Sequence, residues 1–203
     1  MTHYNGILMN SEEKKITDKN VQSLNARVHQ LNTMVNHHAV RDSLTNAYNK
    51  RYSLVILQNE FNRALAQNKA LSCLLMDIDQ LEAINSQHGY FVGDLILTEI
   101  SKCLHKHIQS SDVVSRFGDD EFFIILPEID AGELERITGI LVNSLEKCFV
   151  KDEEKNISIR AQITVGSSSL TSTTKTITDL IEQASQSLYA AKMAKKSHRK
   201  ESV

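Results

Sequence analysis

Residues 71–78 read LSCLLMDI, a nearly continuous apolar run of the length of one β-strand. A strand without an alternating polar face has to be covered by other elements on both sides. Segments near 48–67 and at 94–108 carry apolar residues at helical spacing, and they precede and follow this run in the chain. The run therefore predicts a sheet that is buried between layers of helices.

The rest of the domain continues this alternation of strands and helices. Short strands are predicted at 112–117 and 122–126, followed by a helix from Pro127 to about 149. A long strand at 157–166 and a last helix at 177–196 complete the pattern. The order α-β-α-β-β-α-β-α, with one tight hairpin in the middle, predicts an α/β (α+β) sandwich with a mostly antiparallel central sheet flanked by helices.

A heptad stripe marks residues 11–41. Its members recur in alternating steps of four and three, and they are Thr17, Val21, Leu24, Val28, Leu31 and Val35. A helix that packs back on its own domain is one interpretation, but so narrow a stripe suits a parallel partner helix better. We expect an extension at 1–40 with a dimerising coiled coil at 16–38, a domain at 41–199 and a tail at 200–203.

Composition excludes several classes of partner. The formal net charge of -2 and the pI of about 6.4 provide no general attraction to nucleic acid or to anionic lipid. The three cysteines are odd in number and widely spaced, which indicates reduced thiols in the cytoplasm. No stretch has the length of a membrane span, and residues 1–10 lack a signal pattern. We expect a cytoplasmic protein without membrane or nucleic-acid partners.

Carboxylates end two of the predicted strands. Asp77 and Asp79 close the apolar run, and Asp119, Asp120 and Glu121 lie at the tip of the predicted hairpin. If the two strands are neighbours, one carboxylate from each points to the same side, and the two repel unless a cation lies between them. Mg²⁺ prefers such oxygen ligands and keeps its other positions for water and phosphates. Phosphoryl or nucleotidyl transfer is the class of reaction that follows.

Ordinary turn chemistry explains the same carboxylates equally well. Gly118 and Asp119 would form a two-residue hairpin turn in which the glycine supplies a positive φ. Asp77 and Asp79 would cap the helix that follows them. Spacing alone does not decide between the two interpretations.

Four stretches of the chain resemble, in order, the motifs of GGDEF-domain diguanylate cyclases. They are DSLTNAYNKR, DIDQLEAINSQHGYFVGD, RFGDDEF and LYAAKMAKKS, and the resemblance spans residues 40–199. It implies a palm-like sheet sandwich as the fold. It also implies the condensation of two GTP molecules into cyclic di-GMP, with one GTP held by each domain of a dimer and with Mg²⁺, or alternatively Mn²⁺, as cofactor.

The resemblance also implies a role for each matching position. Asp77 and Asp120 would hold the metal with the carbonyl of Ile78, and Glu121 would be the base for the ribose 3′ hydroxyl or an additional charge. The nucleotide and the product would meet a further set of residues: Asn85 and Asp94 at the guanine, Lys192 and Lys196 at the triphosphate, and Asp112 as the remnant of a product-inhibition site.

Several positions depart from the family's pattern. Asp119 replaces the second glycine, Glu82 replaces a phosphate-side lysine, and Lys195 precedes Lys196 where the family has Gly-Arg. A carboxylate about 5 Å from a phosphate costs about 3 kcal/mol at an effective dielectric of about 20, before screening. Gln109 replaces the arginine of the product-inhibition motif, which removes a bidentate phosphate contact. We expect reduced activity without Arg-based product inhibition.

Two other functions are alternatives to the cyclase. One is a catalytically degenerate domain that binds GTP or a protein partner and signals without turnover. The other is a relative of nucleic-acid polymerases, which have a similar palm, but the chain has no basic groove pattern. Because residues 1–40 are too short for a sensor domain, we expect control by an upstream sensor or by a protein partner.

Overall fold

The structure, a computed structural model, describes residues 40–152 and 157–201. The helices within these ranges are α1 (Lys50–Gln67), α2 (Leu81–His88), α3 (Tyr90–His107), α4 (Ala131–Leu145) and α5 (Ile177–Glu201). The strands are β1 (Tyr48–Asn49), β2 (Leu71–Asp79), β3 (Val113–Arg116), β4 (Glu121–Pro127), β5 (Phe149–Asp152), β6 (Ile157–Arg160) and β7 (Gln162–Ser169). The coiled coil expected at 16–38 lies outside the described residues.

The central sheet has five strands in the order β1-β3-β4-β2-β7. Its neighbours pair antiparallel, apart from the short strand β1, which runs parallel to β3. Strand β2 pairs with β4 on one side and with β7 on the other. Its side chains are buried from Leu71 to Ile78 because helices cover both faces of the sheet. The predicted sandwich with a mostly antiparallel sheet is confirmed.

Alternation along β2 sorts its side chains between the two helical layers. Leu74 and Ile78 face a core formed with α3 and α4. Cys73 and Leu75 face the opposite core, which is formed with α1 and α5. Asp77 follows Leu75 by two positions, so it lies on the α1 and α5 side of the sheet.

Local side-chain hydrogen bonds fix where several elements begin. Asn49 caps α1 by accepting a hydrogen bond from the backbone N–H of Tyr52 at 2.9 Å. Asp130 caps α4 in the same way, with the N–H of Glu133 as donor at 2.9 Å. The polar residues at the start of the domain form a turn, because the Asp42 carboxylate accepts the backbone N–H of Thr45 at 2.9 Å.

The sequence prediction is wrong between residues 145 and 166. The predicted helix ends at Leu145, and Phe149–Asp152 is a strand that pairs with β6 in a separate two-stranded sheet. The predicted strand at 157–166 is divided at Ala161 into β6 and β7, which belong to different sheets. Apolar residues continue to alternate across Ala161, so the pattern has no signal at the break.

None of the helices in the described ranges combines the length and the hydropathy that a membrane span requires. The three cysteines are free thiols. Cys73 and Cys103 are buried, whereas Cys148 is only half-buried.

Helix α5 lies very close to β7 at Gly166. A Cβ atom at this position would lie 2.2 Å from the carbonyl oxygen of Ala184 and 2.2 Å from the backbone nitrogen of Leu188. Both atoms belong to the helix backbone, which cannot move aside as a flexible side chain could. The absence of a side chain at 166 therefore lets α5 lie directly on the sheet.

We predict that Gly166→Ala lowers the free energy of unfolding by about 2–3 kcal/mol, because the new methyl group forces α5 away from β7. Gly139→Ala is the matched control. Gly139 lies within α4, where an added Cβ has no neighbour within 4 Å, so this variant gains about 0.5–1 kcal/mol of helix propensity. Urea unfolding measures both changes, and equal midpoints for the two variants would contradict the close approach.

Candidate functional site

The pairing of β2 with β4 brings the predicted metal ligands together. Asp77 lies opposite Glu121 in the antiparallel register. One residue further along, the backbone N–H of Ile78 donates to the carbonyl oxygen of Asp120 at 3.0 Å. The hairpin tip is thus tied to the end of β2, so that the carboxylates of both strands share one edge of the sheet.

The loop between β3 and β4 is shaped by Glu121. The backbone N–H groups of Phe117 and Gly118 both donate to its carbonyl oxygen, at 2.8 and 3.2 Å. Gly118 does not have a positive φ, and among the described glycines Gly89 is the one that does. A Cβ atom at 118 would instead lie 2.8 Å from Glu121 Oε2. The predicted two-residue turn with a positive φ at Gly118 is therefore wrong, although residues 117–121 do close the hairpin. The small residue at 118 also leaves space for the Glu121 side chain.

The side chain of Arg116 binds the backbone of the same loop. Its Nη2 donates to the carbonyl oxygen of Asp119 at 3.0 Å, and its Nη1 lies 3.3 Å from Asp42 Oδ1. Asp119 is exposed. Water therefore screens the charge that this departure from the family pattern adds to the loop.

Two lysines of α5 reach the carboxylates at the end of β2. Lys192 Nζ lies 2.5 Å from Oδ2 of Asp77, whose side chain is 8% exposed. Lys195 Nζ lies 3.0 Å from Oδ2 of Asp79, and Thr164 Oγ1 donates to Oδ1 of Asp79 at 2.6 Å. Helix α2 begins after Gln80, which has a left-handed backbone. The two aspartates therefore bind lysines, and the interpretation that they cap α2 is wrong.

These side chains line a cavity of about 190 Å³. Its walls contain one more lysine than aspartate, and they comprise Asp77, Asp79, Gln80, Thr164, Lys192, Lys195 and Lys196. A cavity with carboxylates on one side and ammonium groups on the other suits a cation together with a polyphosphate.

Burial and like charges perturb the carboxylates of this site. Burial raises the pKa of Asp77, and although the hydrogen bond from Lys192 opposes this, the charge of Asp120 raises it further. Burial also raises the pKa of Glu121, and the charges of Asp120 and Asp77 add to the effect. Both shifts indicate crowded negative charge that a bound cation would relieve.

The available donors fit Mg²⁺ or Mn²⁺. No group of three histidine, cysteine or acidic side chains is arranged for a metal within the part of the chain that the structure describes. Two carboxylates, from Asp77 and Asp120, and the carbonyl of Ile78 form a hard oxygen set that leaves positions for water and phosphates. The ammonium group of Lys192 lies next to the Asp77 carboxylate, where the crowded carboxylates require positive charge.

The two predicted guanine-reading residues lie side by side on α2 and α3. Asn85 packs against Gly93, where a Cβ atom would come 1.9 Å from Asn85 Oδ1. That oxygen is buried and has no hydrogen-bond partner. Asp94 is the exposed residue after Gly93. Neither Asn85 nor Asp94 lines the cavity of about 190 Å³.

The predicted remnant of the product-inhibition site lies elsewhere. Asp112 Oδ2 accepts the backbone N–H of Gln109 at 2.8 Å, and burial raises the pKa of the Asp112 carboxyl. Both residues line a second cavity of about 440 Å³ together with Arg41 and His105. Gln109 supplies no charge to this cavity, and the guanidinium group in its lining is that of Arg41.

Sequence reasoning did not assign Asp79, Thr164 or Lys195 to the site. Asp79 lies two residues after Asp77, so both point to the same face of β2. Lys195 lies three residues after Lys192, so both lie on one face of α5. This shared spacing is the signal that could have identified the second ion pair.

The fold and the site together define an α/β sandwich domain in which strand-end carboxylates and helical lysines surround a cavity. A family model described as "Diguanylate cyclase, GGDEF domain" matches residues 39–198. The chain belongs to the GGDEF family.

Relatives agree with this assignment. Diguanylate cyclase DosC of Escherichia coli K12 is 34% identical over 115 residues, which are 57% of this chain and 25% of DosC. Diguanylate cyclase A of Treponema denticola is 26% identical over 154 residues, 74% of this chain and 41% of that protein. The chain thus spans well under two thirds of these relatives.

A solved structure shows the same fold. It contains the coiled coil and GGDEF domain of DgcB from Caulobacter crescentus in complex with c-di-GMP, with a TM-score of 0.81 and 19% identity. The match covers 91% of this chain and 95% of that one.

We predict that Asp120→Asn stabilises the metal-free protein and abolishes metal binding. The raised pKa values of Asp77 and Glu121 favour the folded state at low pH, and this contribution is lost as pH rises through them. Removal of the Asp120 charge relieves the repulsion, so the free energy of unfolding at pH 7 increases by about 1 kcal/mol.

Thermal unfolding measures this stability, and the electron paramagnetic resonance of free Mn²⁺ measures metal binding without nucleotide. Asp119→Asn is the matched control, because it removes an exposed charge from the same loop and changes both readouts little. Unchanged Mn²⁺ binding by Asp120→Asn would contradict the assignment of this ligand.

Proposed function

We propose that the chain is a cytoplasmic diguanylate cyclase that condenses two molecules of GTP into cyclic di-GMP. The observation that supports this most directly is the meeting of Asp77, Ile78 and Asp120 at one sheet edge, opposite Lys192. Family membership supports the same activity. The relatives that carry the name diguanylate cyclase are longer, so the activity of this chain is inferred from its own site.

Asp77, Asp120 and the carbonyl of Ile78 would hold Mg²⁺, or Mn²⁺ in its place. When bound, the metal supplies positive charge that offsets the charge on the reacting phosphate. Lys192 exchanges its carboxylate partner for the triphosphate, and Lys196 contributes a second ammonium group from the wall of the same cavity. The chain therefore uses lysines of α5 to bind the polyphosphate that its carboxylates would otherwise repel.

Glu121 is the proposed base for the ribose 3′ hydroxyl. It removes the hydroxyl proton as the 3′ oxygen bonds to the α-phosphate of the other GTP, and pyrophosphate leaves with the electrons of the broken bond. A base is most effective when its pKa is near the working pH, and burial raises the pKa of Glu121 in that direction.

Asn85 and Asp94 are the proposed guanine readers. The Oδ1 of Asn85 is buried without a hydrogen-bond partner, so a donor from the base would satisfy it once the side chain turns toward the nucleotide, and the exposed Asp94 carboxylate can accept from the ring N–H and the amino group. Gly93 permits this arrangement because any side chain there would displace Asn85.

The reaction requires two domains, each with one GTP. We propose that residues 16–38 join two copies of the chain as a homodimer through a coiled coil. We further propose that an upstream sensor or a protein partner controls how the two domains meet. The extension at 1–40 is then the regulatory part, and 41–199 is the catalytic domain.

Because of the departures from the family pattern, we expect the chain to form cyclic di-GMP at a reduced rate. Asp119 and Glu82 are both exposed, and neither lines the cavity of about 190 Å³. Water reduces the electrostatic cost of an exposed carboxylate from about 3 kcal/mol toward about 1 kcal/mol or less. The residues proposed to bind metal and phosphate remain in place.

The second candidate is a degenerate domain that binds GTP, or a protein, without turnover. It is favoured by the ion pair of Lys192 with Asp77, which satisfies this carboxylate in the absence of a metal. In this case the nucleotide would bind while Lys192 continued to neutralise the Asp77 carboxylate.

Product formation from GTP and Mg²⁺ distinguishes the two candidates. We expect wild-type protein to form cyclic di-GMP, Glu121→Gln to form none, and Asp119→Gly to be up to about fivefold faster than wild type. Chromatographic separation of the nucleotides measures the product. GTP binding without any product would refute the cyclase and favour the binding module.

Product inhibition is expected to be weak and to return in Gln109→Arg. An arginine at 109 lies beside Asp112 at the cavity of about 440 Å³ and restores a guanidinium for the product phosphate. Initial rates measured with added cyclic di-GMP should fall for Gln109→Arg and stay nearly constant for wild type. Asn59→Arg, at an exposed position of α1 that does not line this cavity, is the control for added charge alone.

A further inference from the structure

Two parallel ion pairs join β2 to α5. Asp77 and Asp79 lie two residues apart on one face of the strand, and they bind Lys192 and Lys195 respectively. The lysines lie three residues apart and therefore project from one face of the helix. The acidic residues of the strand and the basic residues of the helix thus lie opposite each other as two pairs of opposite charge.

The two ion pairs differ in what else holds them. The negative charge of Asp120 acts on Asp77, so a cation bound between these two carboxylates would compete with Lys192 for Asp77. Asp79 also accepts a hydrogen bond from Thr164, and Lys195 also donates to the carbonyl oxygen of Ile163. Both additional partners belong to β7, so the second pair is fixed to two strands at once.

Apolar packing does not hold this part of α5. Leu188 is the last side chain of the helix that is buried among the residues 177–197, and those at 189–197 are half-buried or exposed. Lys195 lies seven residues, or about two turns, beyond Leu188. Polar contacts therefore have to hold the segment that carries Lys192 and Lys196.

We propose that Lys195 is a positioning residue, which fixes the end of α5 through Asp79 and β7 so that Lys192 and Lys196 stay directed at the polyphosphate. The inference rests on the proposed function, because it assigns the polyphosphate of GTP to this cavity. The two ion pairs then have different roles. The Asp77 pair opens when metal and nucleotide bind, while the Asp79 pair remains closed.

The test compares Lys195→Met, Lys195→Arg and Asp79→Asn with wild type. Lys102→Met is the matched control, because Lys102 forms an exposed ion pair with Glu99 on α3, away from the cavity. Amide hydrogen exchange at 189–197 is measured on the free protein. KM and kcat for GTP with Mg²⁺ are measured in parallel.

We expect faster exchange at 189–197 and a KM about fivefold higher in Lys195→Met and in Asp79→Asn. The kcat stays within about twofold, since the lysines are misplaced in both the ground state and the transition state. Lys195→Arg restores wild-type behaviour, and the double variant of Asp79 and Lys195 is no worse than either single one.

Two results would overturn the inference. Unchanged exchange in Lys195→Met means that Lys195 does not fix the helix. A lower KM in Asp79→Asn means that the freed Lys195 binds the phosphates directly. A wild-type protein that does not bind GTP refutes the proposed function separately, because the exchange measurement needs no nucleotide and still decides whether Lys195 holds α5.

Discussion

Repulsion among carboxylates at one edge of the sheet is the constraint around which this site is built. Asp77, Asp120 and Glu121 meet there because β2 and β4 pair in a register that sets Asp77 against Glu121. Both strands carry apolar side chains on both faces, so burial holds them in the middle of the sheet, and the hydrogen bond from the N–H of Ile78 to the carbonyl oxygen of Asp120 ties their ends together in this register. The hydrophobic core thus forces the acidic groups together, and positive charge has to come from elsewhere.

Helix α5 supplies that charge, and its position depends on a contact far from the lysines. At Gly166 the helix backbone lies against β7, and packing in this layer continues as far as Leu188. Beyond that point the helix extends over the ends of β2 and β7 and presents Lys192 to Asp77. The absence of a side chain at Gly166 therefore lets the helix lie close to the sheet, where Lys192 can reach Asp77. Arg116 holds the hairpin backbone through the carbonyl oxygen of Asp119.

The sequence predicts those features that depend on local periodicity. Strand β2, the hairpin and the helices follow from apolar spacing, and the meeting of Asp77 with Asp120 follows once two strands are taken as neighbours. The division at Ala161 could not be predicted, because alternation shows that residues are extended and does not show which sheet they join. The pair of Asp79 with Lys195 likewise depends on how α5 crosses the sheet. For Gly118 the sequence suggested backbone freedom, whereas the structure requires space for Glu121.

The position of each altered charge matters more than the number of altered charges. Glu82 and Asp119 are acidic where the family pattern has a lysine and a glycine, yet both are exposed, where water weakens their effect. Lys195 replaces a glycine at the cavity wall, and although its own side chain is 46% exposed, its ammonium group lies 3.0 Å from the carboxylate of Asp79, which is only 13% exposed. A charge interacts more strongly where less water surrounds it. The electrostatic gain from Lys195 therefore acts within the site, while the losses at Glu82 and Asp119 act mainly on the surface.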